Sequence, residues 1–426
     1  MSSDALAAGG RRQLEERQLA LLQALIETLK PANRFYASRL PAAIPASLSQ
    51  FYAETPFTTK HELALDQEAN PPFGTNLTYS LDRYSRFSQT SGTSGKPMRW
   101  LDTADSWEWM VGNWTRVFEA AGLTGADRVF FAFSFGPFLG FWVAFDAASR
   151  MGCLCMPGGG MPTAARLAVI VDTGATVLCC TPTYAIHMAE VADREGIDLG
   201  KSQVRQLVVA GEPGGSIPAT RRKIEQMWRG ARVVDHHGMT EIGPVSYGCP
   251  ARHDVLHIIE SSYVAEVIDP ESGHPVRRGQ QGELVLTNLG RPGSPLLRYR
   301  TGDLVLVAPE ECCPGCGSFE MALVGGILGR ADDMVVVRGV NVYPGAIEEV
   351  LRSVGGVAEY RVRVSRQLGL AELTIEVEQE PGVGPSLPHR LEAKLRDALS
   401  LRIPVTLVAD GTLPRFEMKA RRWIRE

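Results

Sequence analysis

A run of glycine, serine and threonine residues that ends in a lysine, at residues 89–97 (QTSGTSGKP), is the segment best suited to chemistry. Glycine lets the backbone approach an anion closely, hydroxyl groups donate hydrogen bonds to its oxygens, and lysine adds a positive charge. The spacing excludes the P-loop of NTPases, because Gly92 precedes Gly95 by only three residues and Pro97 follows Lys96. The run therefore predicts a phosphate-holding loop, with a flexible loop as the alternative.

Five further segments carry polar side chains where a ligand could bind. They are residues 211–213 (GEP), 236–241 (HHGMTE), 298–303 (RYRTGD), 329–333 (GRADD) and 414–419 (PRFEMK). The first two follow apolar runs, and open parallel sheets bind ligands at the carboxyl ends of their strands. The carboxylate of Asp303 could accept hydrogen bonds from both hydroxyls of a ribose. These segments favour a nucleotide as the ligand of the glycine-rich loop.

A second constellation has the residue types of a zinc site. Residues 313–316 (CPGC) form a Cys-x2-Cys turn, and Cys249 and His257 supply a further thiolate and an imidazole. Cys249, His257, Cys313 and Cys316 would together make a tetrahedral Cys₃His site. Cys312 is an alternative to Cys313, His253 is an alternative to His257, and unconnected reduced cysteines are the other interpretation. Four protein ligands leave no open position, so the predicted zinc is structural.

The composition is typical of a globular protein that acts on small molecules. Of the 426 residues, 44% are hydrophobic and 22% are charged, and the net charge of −4 offers no electrostatic footprint for nucleic acid. The chain has no stretch of eighteen apolar residues and no secretory signal at its start. We therefore expect a cytoplasmic protein without nucleic-acid or membrane partners, and a homodimer is left open.

The elements that must position these residues begin with amphipathic helices predicted at 12–30 and 104–121. Short apolar runs then alternate with helical segments, which predicts βαβ units around a largely parallel sheet. The apolar runs are 128–135, 176–180, 206–210 and 232–235, and the helical segments are 140–151, 162–172, 182–195 and 217–228.

The pattern changes after Gly243. Apolar runs at 262–269, 282–289 and 303–308 are separated by glycine and proline, which predicts an antiparallel sheet. Strand and helix patterns alternate again beyond Arg330, and they predict a small α+β domain. We therefore divide this α/β protein into an N-terminal domain at 1–328, with a β subdomain at about 244–328, and a C-terminal domain at 329–426.

In their order along the chain, these motifs resemble the adenylate-forming superfamily of acyl-CoA synthetases, specifically its phenylacetate-CoA ligase-like branch. The resemblance extends from residues 55–60 (TPFTTK) to Lys419, and residues 337–344 (VRGVNVYP) look especially like that branch. It implies a large domain of mostly parallel sheets flanked by helices, and a mobile C-terminal domain. It also implies that ATP and a small carboxylic acid give acyl-AMP and pyrophosphate, after which coenzyme A takes the acyl group.

The resemblance assigns roles to individual residues. The β- and γ-phosphates would be held by Ser91, Gly92, Thr93, Ser94, Gly95 and Lys96. Other nucleotide contacts would come from Gly211, Glu212, Pro213, Asp235, His236 and Arg330, with the ribose on Asp303. Thr240 would contact the α-phosphate, and Glu241 would bind Mg²⁺, a hard cation suited to carboxylate oxygen. Lys419 would drive adenylation by bridging the acyl carboxylate and the α-phosphate.

An acyl pocket, a hinge and a thiol channel are implied in the same way. The acyl pocket would be formed near Phe135, Phe141, Gly211, His237, Gly238 and Met239. Because residues 130–142 hold seven aromatic side chains, we expect an aryl or arylacetic acid. Asp332 would be the hinge and Gly339 would line the channel. Two residues depart from the family's pattern, since His237 replaces the usual tyrosine and Met418 the usual glycine.

Three functions follow from the sequence. The leading hypothesis is an aryl-CoA ligase. A ligase that loads the phosphopantetheine arm of a carrier protein would make the same adenylate and present it to the same thiol. A catalytically silent homologue that senses a nucleotide or acyl ligand is the third, and only His237 and Met418 favour it. A structural zinc also occurs in parts of the resembling branch, which supports the Cys₃His interpretation.

Overall fold

The computed structural model describes residues 3–90, 96–331, 333–338, 340–367, 370–416 and 420–425. The α-helices are α1 (Ser3–Leu29), α2 (Leu48–Glu54), α3 (Lys60–Ala69), α4 (Ala104–Ala120), α5 (Leu139–Arg150), α6 (Thr163–Asp172), α7 (Pro182–Arg194), α8 (Pro218–Met227), α9 (Pro344–Val354) and α10 (Leu387–Leu399). Helix α1 is interrupted at Gly10, which has a φ of 71°. Within the described residues, no helix combines the length and the apolar character needed to cross a membrane.

The strands occur in three groups along the chain. The first group is β1 (Tyr84–Gln89), β2 (Arg99–Thr103), β3 (Arg128–Phe131), β4 (Leu154–Pro157), β5 (Val177–Cys180), β6 (Gln206–Val209) and β7 (Arg232–Asp235). The second is β8 (Gly238–Met239), β9 (Gly243–Pro244), β10 (Ser246–Gly248), β11 (Val255–Ile258), β12 (Tyr263–Ile268), β13 (Gln281–Asn288), β14 (Tyr299–Val307) and β15 (Ala322–Arg330). The third is β16 (Val335–Val337), β17 (Val340–Val342), β18 (Val357–Gln367), β19 (Leu370–Gln379), β20 (Val405–Leu407) and β21 (Trp423–Arg425).

Two compact units emerge from these elements. One contains residues 1–160 and 236–326, and the other contains residues 161–235 and 327–426. One passage of the chain from one unit to the other lies between Asp235 and His236, directly before the predicted motif at 236–241. The predicted division at 328/329, with a hinge near Asp332, concerns movement during the reaction and stays a prediction.

The first unit combines a parallel strand pair with a large antiparallel sheet. Strands β3 and β4 pair in parallel, and the antiparallel hairpin β8–β9 follows the crossover into this unit. The antiparallel sheet has the order β10-β11-β15-β14-β13-β12, so β10 is an edge strand. Helix α4 begins at the side-chain cap of Thr103 and buries Trp107, Met110, Trp114 and Phe118 along one face. This apolar stripe explains why the helix predicted at 104–121 forms.

The second unit contains three parallel strands and a small α+β region. Strands β5, β6 and β7 pair in parallel register, and the C-terminal sheet has the order β20-β19-β18-β21. Its core packs the apolar faces of α9 and α10 on that sheet, with Ile347, Leu351, Ile375 and Leu391 fully buried. Alternating burial along β18 and β19 provides the face that these helices cover.

The predicted α/β fold is confirmed, but several elements differ, and the nine-residue strand β15 was not predicted. The strand predicted at 128–135 ends at Phe131, and Phe135 takes a φ of 50°, which no extended strand allows. Strand β4 was not predicted, because its first residue, Leu154, is exposed and the strand lacks a buried apolar run. Strand β21 was also missed, since its pairing with β18 joins residues distant in sequence.

Candidate active site and metal centre

Several predicted functional residues lie outside the described part of the chain. They are Ser91, Gly92, Thr93, Ser94, Gly95, Asp332, Gly339 and Lys419. Lys96, at the end of the glycine-rich loop, is described, and its Nζ lies 2.9 Å from Oε1 of Glu68. The Lys96 side chain is 87% exposed, so this ion pair is solvated and contributes little to stability.

The segment 236–241 forms a tight turn built on the hairpin β8–β9. Gly243 has a φ of 100°, a conformation that L side chains rarely adopt. A Cβ atom on Gly238 would come within 2.9 Å of the carbonyl oxygen of Gly243. Glycine at these two positions lets the strands approach, and the approach sets Thr240 and Glu241 at the hairpin's tip.

A buried ion pair holds the backbone of this tip. The guanidinium of Arg291 donates to Asp102 at 2.6 and 2.8 Å, and neither side chain has any exposed surface. Its third nitrogen, Nη1, donates to the carbonyl oxygens of Thr240, at 3.0 Å, and Glu241, at 2.8 Å. The planar guanidinium thus satisfies a buried carboxylate and two backbone acceptors at once, which gives the tip a fixed position.

The carboxylate of Glu241 is also held in place. It is 6% exposed, and Oε1 accepts a hydrogen bond of 3.0 Å from the hydroxyl of Tyr299. The Nζ of Lys60 lies 3.8 Å from the same oxygen. In the described structure the contacts of Oε1 are thus the hydroxyl of Tyr299 and the more distant ammonium of Lys60. A carboxylate oxygen is also the kind of ligand that a hard cation such as Mg²⁺ prefers.

His237 contacts the residue that we expect to bind ribose. Its Nε2 lies 2.9 Å from Oδ2 of Asp303, and both side chains are largely buried. The other ring nitrogen of His237, Nδ1, is buried without a hydrogen-bond partner among the described residues. The imidazole therefore orients Asp303 and still carries an unsatisfied polar atom, a role that tyrosine could not fill with the same atoms.

His236 has a different environment from its neighbour. Its Nδ1 lies 2.6 Å from the carbonyl oxygen of Ser246, and its ring packs against Trp114 at 4.1 Å between centroids. Burial lowers the pKa of His236 to about 3, against the hydrogen bond to Ser246. His236 is therefore a neutral donor to Ser246 and a packed ring at physiological pH.

The aromatic residues predicted for the acyl pocket form a cluster around the start of α5. The ring of Phe135 meets the edges of Phe131, Trp142 and Phe145, with centroids 4.9–6.5 Å apart, and Phe141 stacks on Phe133. Helix α5 contacts both strands of the hairpin that carries Gly238 and Met239. The structure thus brings Phe141's helix against this hairpin, as an acyl pocket requires.

Glu212 links two predicted motifs of the second unit. Its Oε1 accepts the backbone N–H of Thr183 at 2.8 Å, and its Oε2 accepts the N–H of Ala420 at 2.9 Å. Gly211 precedes it with a φ of 96°, whereas Pro213 is exposed. The structure therefore anchors the residue that directly follows Lys419 to the predicted adenine-bordering segment.

Two further predicted nucleotide contacts lie at strand ends. Asp235 ends β7, and its Oδ2 accepts a hydrogen bond of 2.6 Å from the hydroxyl of Ser216. Arg330 is the last residue of β15. The C-terminal segment is secured beyond Ala420 by Arg422, which donates to Glu359 at 2.6 and 3.1 Å. The positions of Asp235 and Arg330 follow from where the strands end.

Cys249, His257, Cys313 and Cys316 come together at one end of the antiparallel sheet, with their ligand atoms within 4.8 Å of one another. The Sγ atoms of Cys249 and Cys313 are 4.0 Å apart, and Cys316 Sγ lies 3.4 Å from His257 Nε2. Tetrahedral zinc with bonds of about 2.0–2.3 Å separates its ligand atoms by roughly 3.3–3.8 Å. The four residues therefore fit zinc, and Cys312 and His253 are not part of the cluster.

The surroundings of the cluster prepare it for a metal. Nδ1 of His257 lies 3.2 Å from the carbonyl oxygen of Glu320, which leaves Nε2 to face the thiols. A hydrogen bond from Cys316 lowers the pKa of Cys249 and raises that of Cys316. A thiolate is the form of cysteine that binds zinc.

Residues that support the site were missed from the sequence. Arg291 and Asp102 are 189 residues apart, and Tyr299 is 58 residues from Glu241. Ala420 is 208 residues from Glu212. None of these pairs has a short sequence signature, because the contacts arise only when distant strands pack.

Comparisons with known proteins agree with this geometry. A family described as AMP-binding enzyme matches residues 86–290, and one described as AMP-binding enzyme C-terminal domain matches residues 339–426. The chain is 32% identical to phenylacetate-coenzyme A ligase of Pseudomonas putida over 86% of this chain and 83% of that protein. It is also 32% identical to the enzyme of that name from Thermus thermophilus, over 85% of this chain and 84% of its relative.

Solved structures of 2-hydroxyisobutyryl-CoA ligase are similar over almost the whole chain. With the structure in the postadenylation state, in complex with 2-HIB-AMP, the TM-score is 0.92 at 28% identity, and 98% of this chain and 90% of the other are covered. With the structure in complex with 2-HIB-AMP and CoA in the thioesterification state, the TM-score is 0.73 at 29% identity, and the coverage is 98% and 91%.

Proposed function

Because this chain belongs to the phenylacetate-CoA ligase-like branch of the adenylate-forming superfamily, we propose that it activates an aromatic carboxylic acid with ATP. It is an AMP-forming acid–CoA ligase, as its motifs predict, and the reaction passes through an acyl-AMP. The aromatic acid, the residue roles, the zinc and the movement of the C-terminal domain are parts of the proposal.

The observation that carries the proposal is the buried clamp on residues 240–241. Attack of a carboxylate on the α-phosphate gathers negative charge, and donors or cations already in position stabilise it without reorganisation. Arg291 holds the carbonyl oxygens of Thr240 and Glu241, so the Thr240 hydroxyl and the Glu241 carboxylate are presented by a rigid tip. Thr240 would donate to the α-phosphate, and Glu241 would hold Mg²⁺.

The second support is the anchorage of the C-terminal segment. Glu212 accepts the N–H of Ala420, and Arg422 pairs with Glu359, so the chain is held directly beyond Lys419. We assign to Lys419 the bridge between acyl carboxylate and α-phosphate. After adenylation, movement about Asp332 would remove this segment and bring Gly339 to the thiol channel. Domain rotation about a few junction residues is an ordinary transition of this kind.

The aromatic substrate is supported by the cluster around Phe135. This residue takes a φ of 50°, which costs energy in a bulky side chain and is found most often where function requires it. Its ring lies among Phe131, Trp142 and Phe145, and α5 packs against the hairpin β8–β9. A flat apolar acid would be recognised by such rings through offset or edge contacts.

A short hydroxy acid is the second candidate substrate. The buried Nδ1 of His237 has no partner in the described part of the protein, and a buried polar atom without a hydrogen bond is costly. A hydroxyl on the substrate would satisfy it. The similar solved structures are those of a 2-hydroxyisobutyryl-CoA ligase, whose acid carries such a group.

Coenzyme A is the acceptor that we propose, and the phosphopantetheine arm of a carrier protein is the alternative. ATP and coenzyme A are present in the cytoplasm, and we propose that the enzyme acts there. Zinc would be bound by Cys249, His257, Cys313 and Cys316, and it would fix the end of the antiparallel sheet.

ATP–pyrophosphate exchange with a panel of acids tests the function. Phenylacetate and benzoate should promote exchange more than 2-hydroxyisobutyrate, and CoA should then accept the acyl group faster than a holo-carrier protein. Glu241→Gln should abolish Mg²⁺-dependent exchange, whereas Glu195→Gln, an exposed residue of the second unit, should not. Preference for 2-hydroxyisobutyrate, with its loss in His237→Phe, would establish the second candidate. Absence of exchange with every acid would refute the proposal.

Elemental analysis tests the zinc. We expect about one equivalent in the purified protein, its loss in Cys316→Ser and its retention in Cys312→Ser, because Cys312 lies outside the cluster. A protein without zinc, or one whose zinc depends on Cys312, would contradict the assigned ligand set.

A further inference from the structure

We propose that the Cys₃His cluster is coupled through strand β10 to the turn at residues 236–241, which we call the nucleotide turn. Zinc binding and nucleotide binding would then strengthen each other. This inference rests on the proposed function, since it takes residues 236–241 and Asp303 as nucleotide-binding. It gives the metal a role beyond holding a surface turn together. The coupling would be carried by the three consecutive residues Ser246–Gly248. They lie between His237, which contacts Ser246, and Cys249, which follows Gly248.

One end of β10 holds both histidines of the nucleotide turn. The carbonyl oxygen of Ser246 lies 2.6 Å from Nδ1 of His236, and its hydroxyl accepts the backbone N–H of His237 at 3.0 Å. In return, the N–H of Ser246 donates to the carbonyl oxygen of His237 at 3.1 Å. Ser246 has no exposed surface, so water does not compete for these hydrogen bonds. A displacement of Ser246 would therefore displace both histidines.

The other end of β10 leads directly into the metal cluster. Cys249 follows the strand, and its N–H donates to the carbonyl oxygen of Val255 at 2.9 Å. Tyr247 stacks on the ring of His257 with centroids 5.3 Å apart, and its hydroxyl donates to Glu320 at 2.7 Å. The carbonyl of the same Glu320 accepts from His257. Two of the four proposed ligands are thus tied to this strand.

The strand is buried, and helix α4 packs against it. It is three residues long, lies at the edge of its sheet, and pairs with β11 as its one ladder neighbour in the described chain. Zinc would join Cys249 at its end to His257 on β11 and to the turn 313–316, through bonds that replace weak thiol contacts. The metal would therefore set the position of β10, whose residues span only about 10 Å from Cys249 to Ser246.

From Ser246 the effect would reach the nucleotide through His237. The backbone of His237 is held by Ser246, and its imidazole is hydrogen-bonded to Asp303, the proposed acceptor of the ribose hydroxyls. Ser246 would thus be a positioning residue for the His237–Asp303 pair. Thermodynamic linkage requires reciprocity, so nucleotide must tighten the metal by the factor by which metal tightens nucleotide.

Two measurements with the full-length protein test the coupling. Isothermal titration calorimetry with AMP compares zinc-loaded protein with protein from which a chelator has removed zinc, after thermal unfolding shows that both are folded. Equilibrium competition with 4-(2-pyridylazo)resorcinol then measures the zinc affinity with and without saturating AMP. We expect zinc removal to weaken AMP binding, and AMP to tighten zinc binding, by the same factor of roughly 5-fold or more.

Ser246→Ala separates coupling from folding, because it removes the hydroxyl and leaves all four ligands in place. It should keep its zinc but reduce the tightening of zinc binding by AMP, because only the backbone bonds of residue 246 to the two histidines remain. Ser262→Ala is the matched control. It removes another buried hydroxyl, which donates to Asn113 at 2.6 Å. Among the described residues this hydroxyl has no hydrogen bond to the histidines or the cluster, so the variant should retain the full effect. Because Ser246→Ala is studied with zinc bound, it tests the coupling even if the zinc-free protein unfolds.

Four outcomes would count against the proposal. Equal AMP affinity with and without zinc would remove the coupling and leave the ligase function intact. Unchanged coupling in Ser246→Ala would exclude the Ser246 hydroxyl as the link to His237. A zinc-loaded protein that neither binds AMP nor catalyses exchange would refute the proposed function itself, and a protein that binds no zinc would refute the metal site.

Discussion

The nucleotide turn at 236–241 and the C-terminal segment at 414–425 are held by different means. The turn is clamped by Arg291, a fully buried side chain that pairs with Asp102 and reaches two backbone carbonyls directly. The C-terminal segment is held before Lys419 by Arg415, which donates to Glu378 at 2.6 Å, and beyond Lys419 by the contacts of Ala420 and Arg422. One of these contacts, from Glu212 to Ala420, is only partly buried.

This difference matches what the two proposed half-reactions demand. Both the formation of acyl-AMP and its consumption need the nucleotide to stay bound, so its turn benefits from a permanent clamp. In the proposed mechanism Lys419 acts in the first half-reaction only, and a partly buried hydrogen bond is easier to break and re-form than a buried ion pair. We therefore expect substitutions in the turn to affect stability, and substitutions at the C-terminal segment to affect one half-reaction.

The largest effect is expected from Lys419→Ala. Removal of the charge that bridges carboxylate and α-phosphate should lower acid-dependent ATP–pyrophosphate exchange by roughly 10³-fold, as loss of a major electrostatic contact does. Thiol transfer from preformed acyl-adenylate should be nearly unchanged. Lys394→Ala, an exposed lysine of α10, serves as the control. Equal losses in the two half-reactions would contradict the distinction between the two regions.

Arg291→Met should cost about 3–5 kcal/mol of unfolding free energy, because it leaves the Asp102 carboxylate buried without a partner. Urea unfolding measures this loss. The double variant Arg291→Met/Asp102→Leu should recover much of it, since both charges are then removed. If the single variant unfolds like the native protein, the clamp is not what holds the turn.

Glu212→Ala should weaken adenylation by roughly 10-fold, the worth of a lost hydrogen bond to a charged group. The N–H of Ala420 would lose its acceptor, and the segment around Lys419 would be held less well. Transfer from preformed acyl-adenylate to CoA should change less. Glu195→Ala, at the end of α7, should leave both steps intact, and a variant that loses both equally would show that Glu212 acts on nucleotide binding instead.

The smallest effect is a change in acid sensitivity. Burial lowers the pKa of His236 from 6.5 to about 3, so between these values the unfolded chain binds a proton that the native protein does not. Stability therefore falls as pH drops from about 6.5 towards 3. Between pH 6.5 and 3, the slope of unfolding free energy against pH should be smaller in His236→Gln by the amount that corresponds to about one bound proton. His274→Gln, at an exposed position, should not change the slope. An unchanged slope would mean that His236 is accessible to protons.

Much of the fold was predictable because it depends on local patterns. Helices such as α4 and α7 begin at side-chain caps and carry apolar stripes, so their sequences report their extent. The clustering of Cys313 and Cys316 was predictable because a Cys-x2-Cys turn brings two thiols close together. The choice of His257 over His253 was not, since it depends on the pairing of β11 with β10.

The amino-acid sequence alone determined the reaction class, because the motifs that carry the family resemblance, such as residues 211–213 and 236–241, each consist of a few adjacent residues. The tertiary structure decided how those residues are held. Arg291 beneath the turn, Glu212 beside Ala420, and Ser246 between the histidines and Cys249 are joined by contacts between distant segments. Such contacts depend on the packing of sheets and units, and no local pattern of residues encodes them.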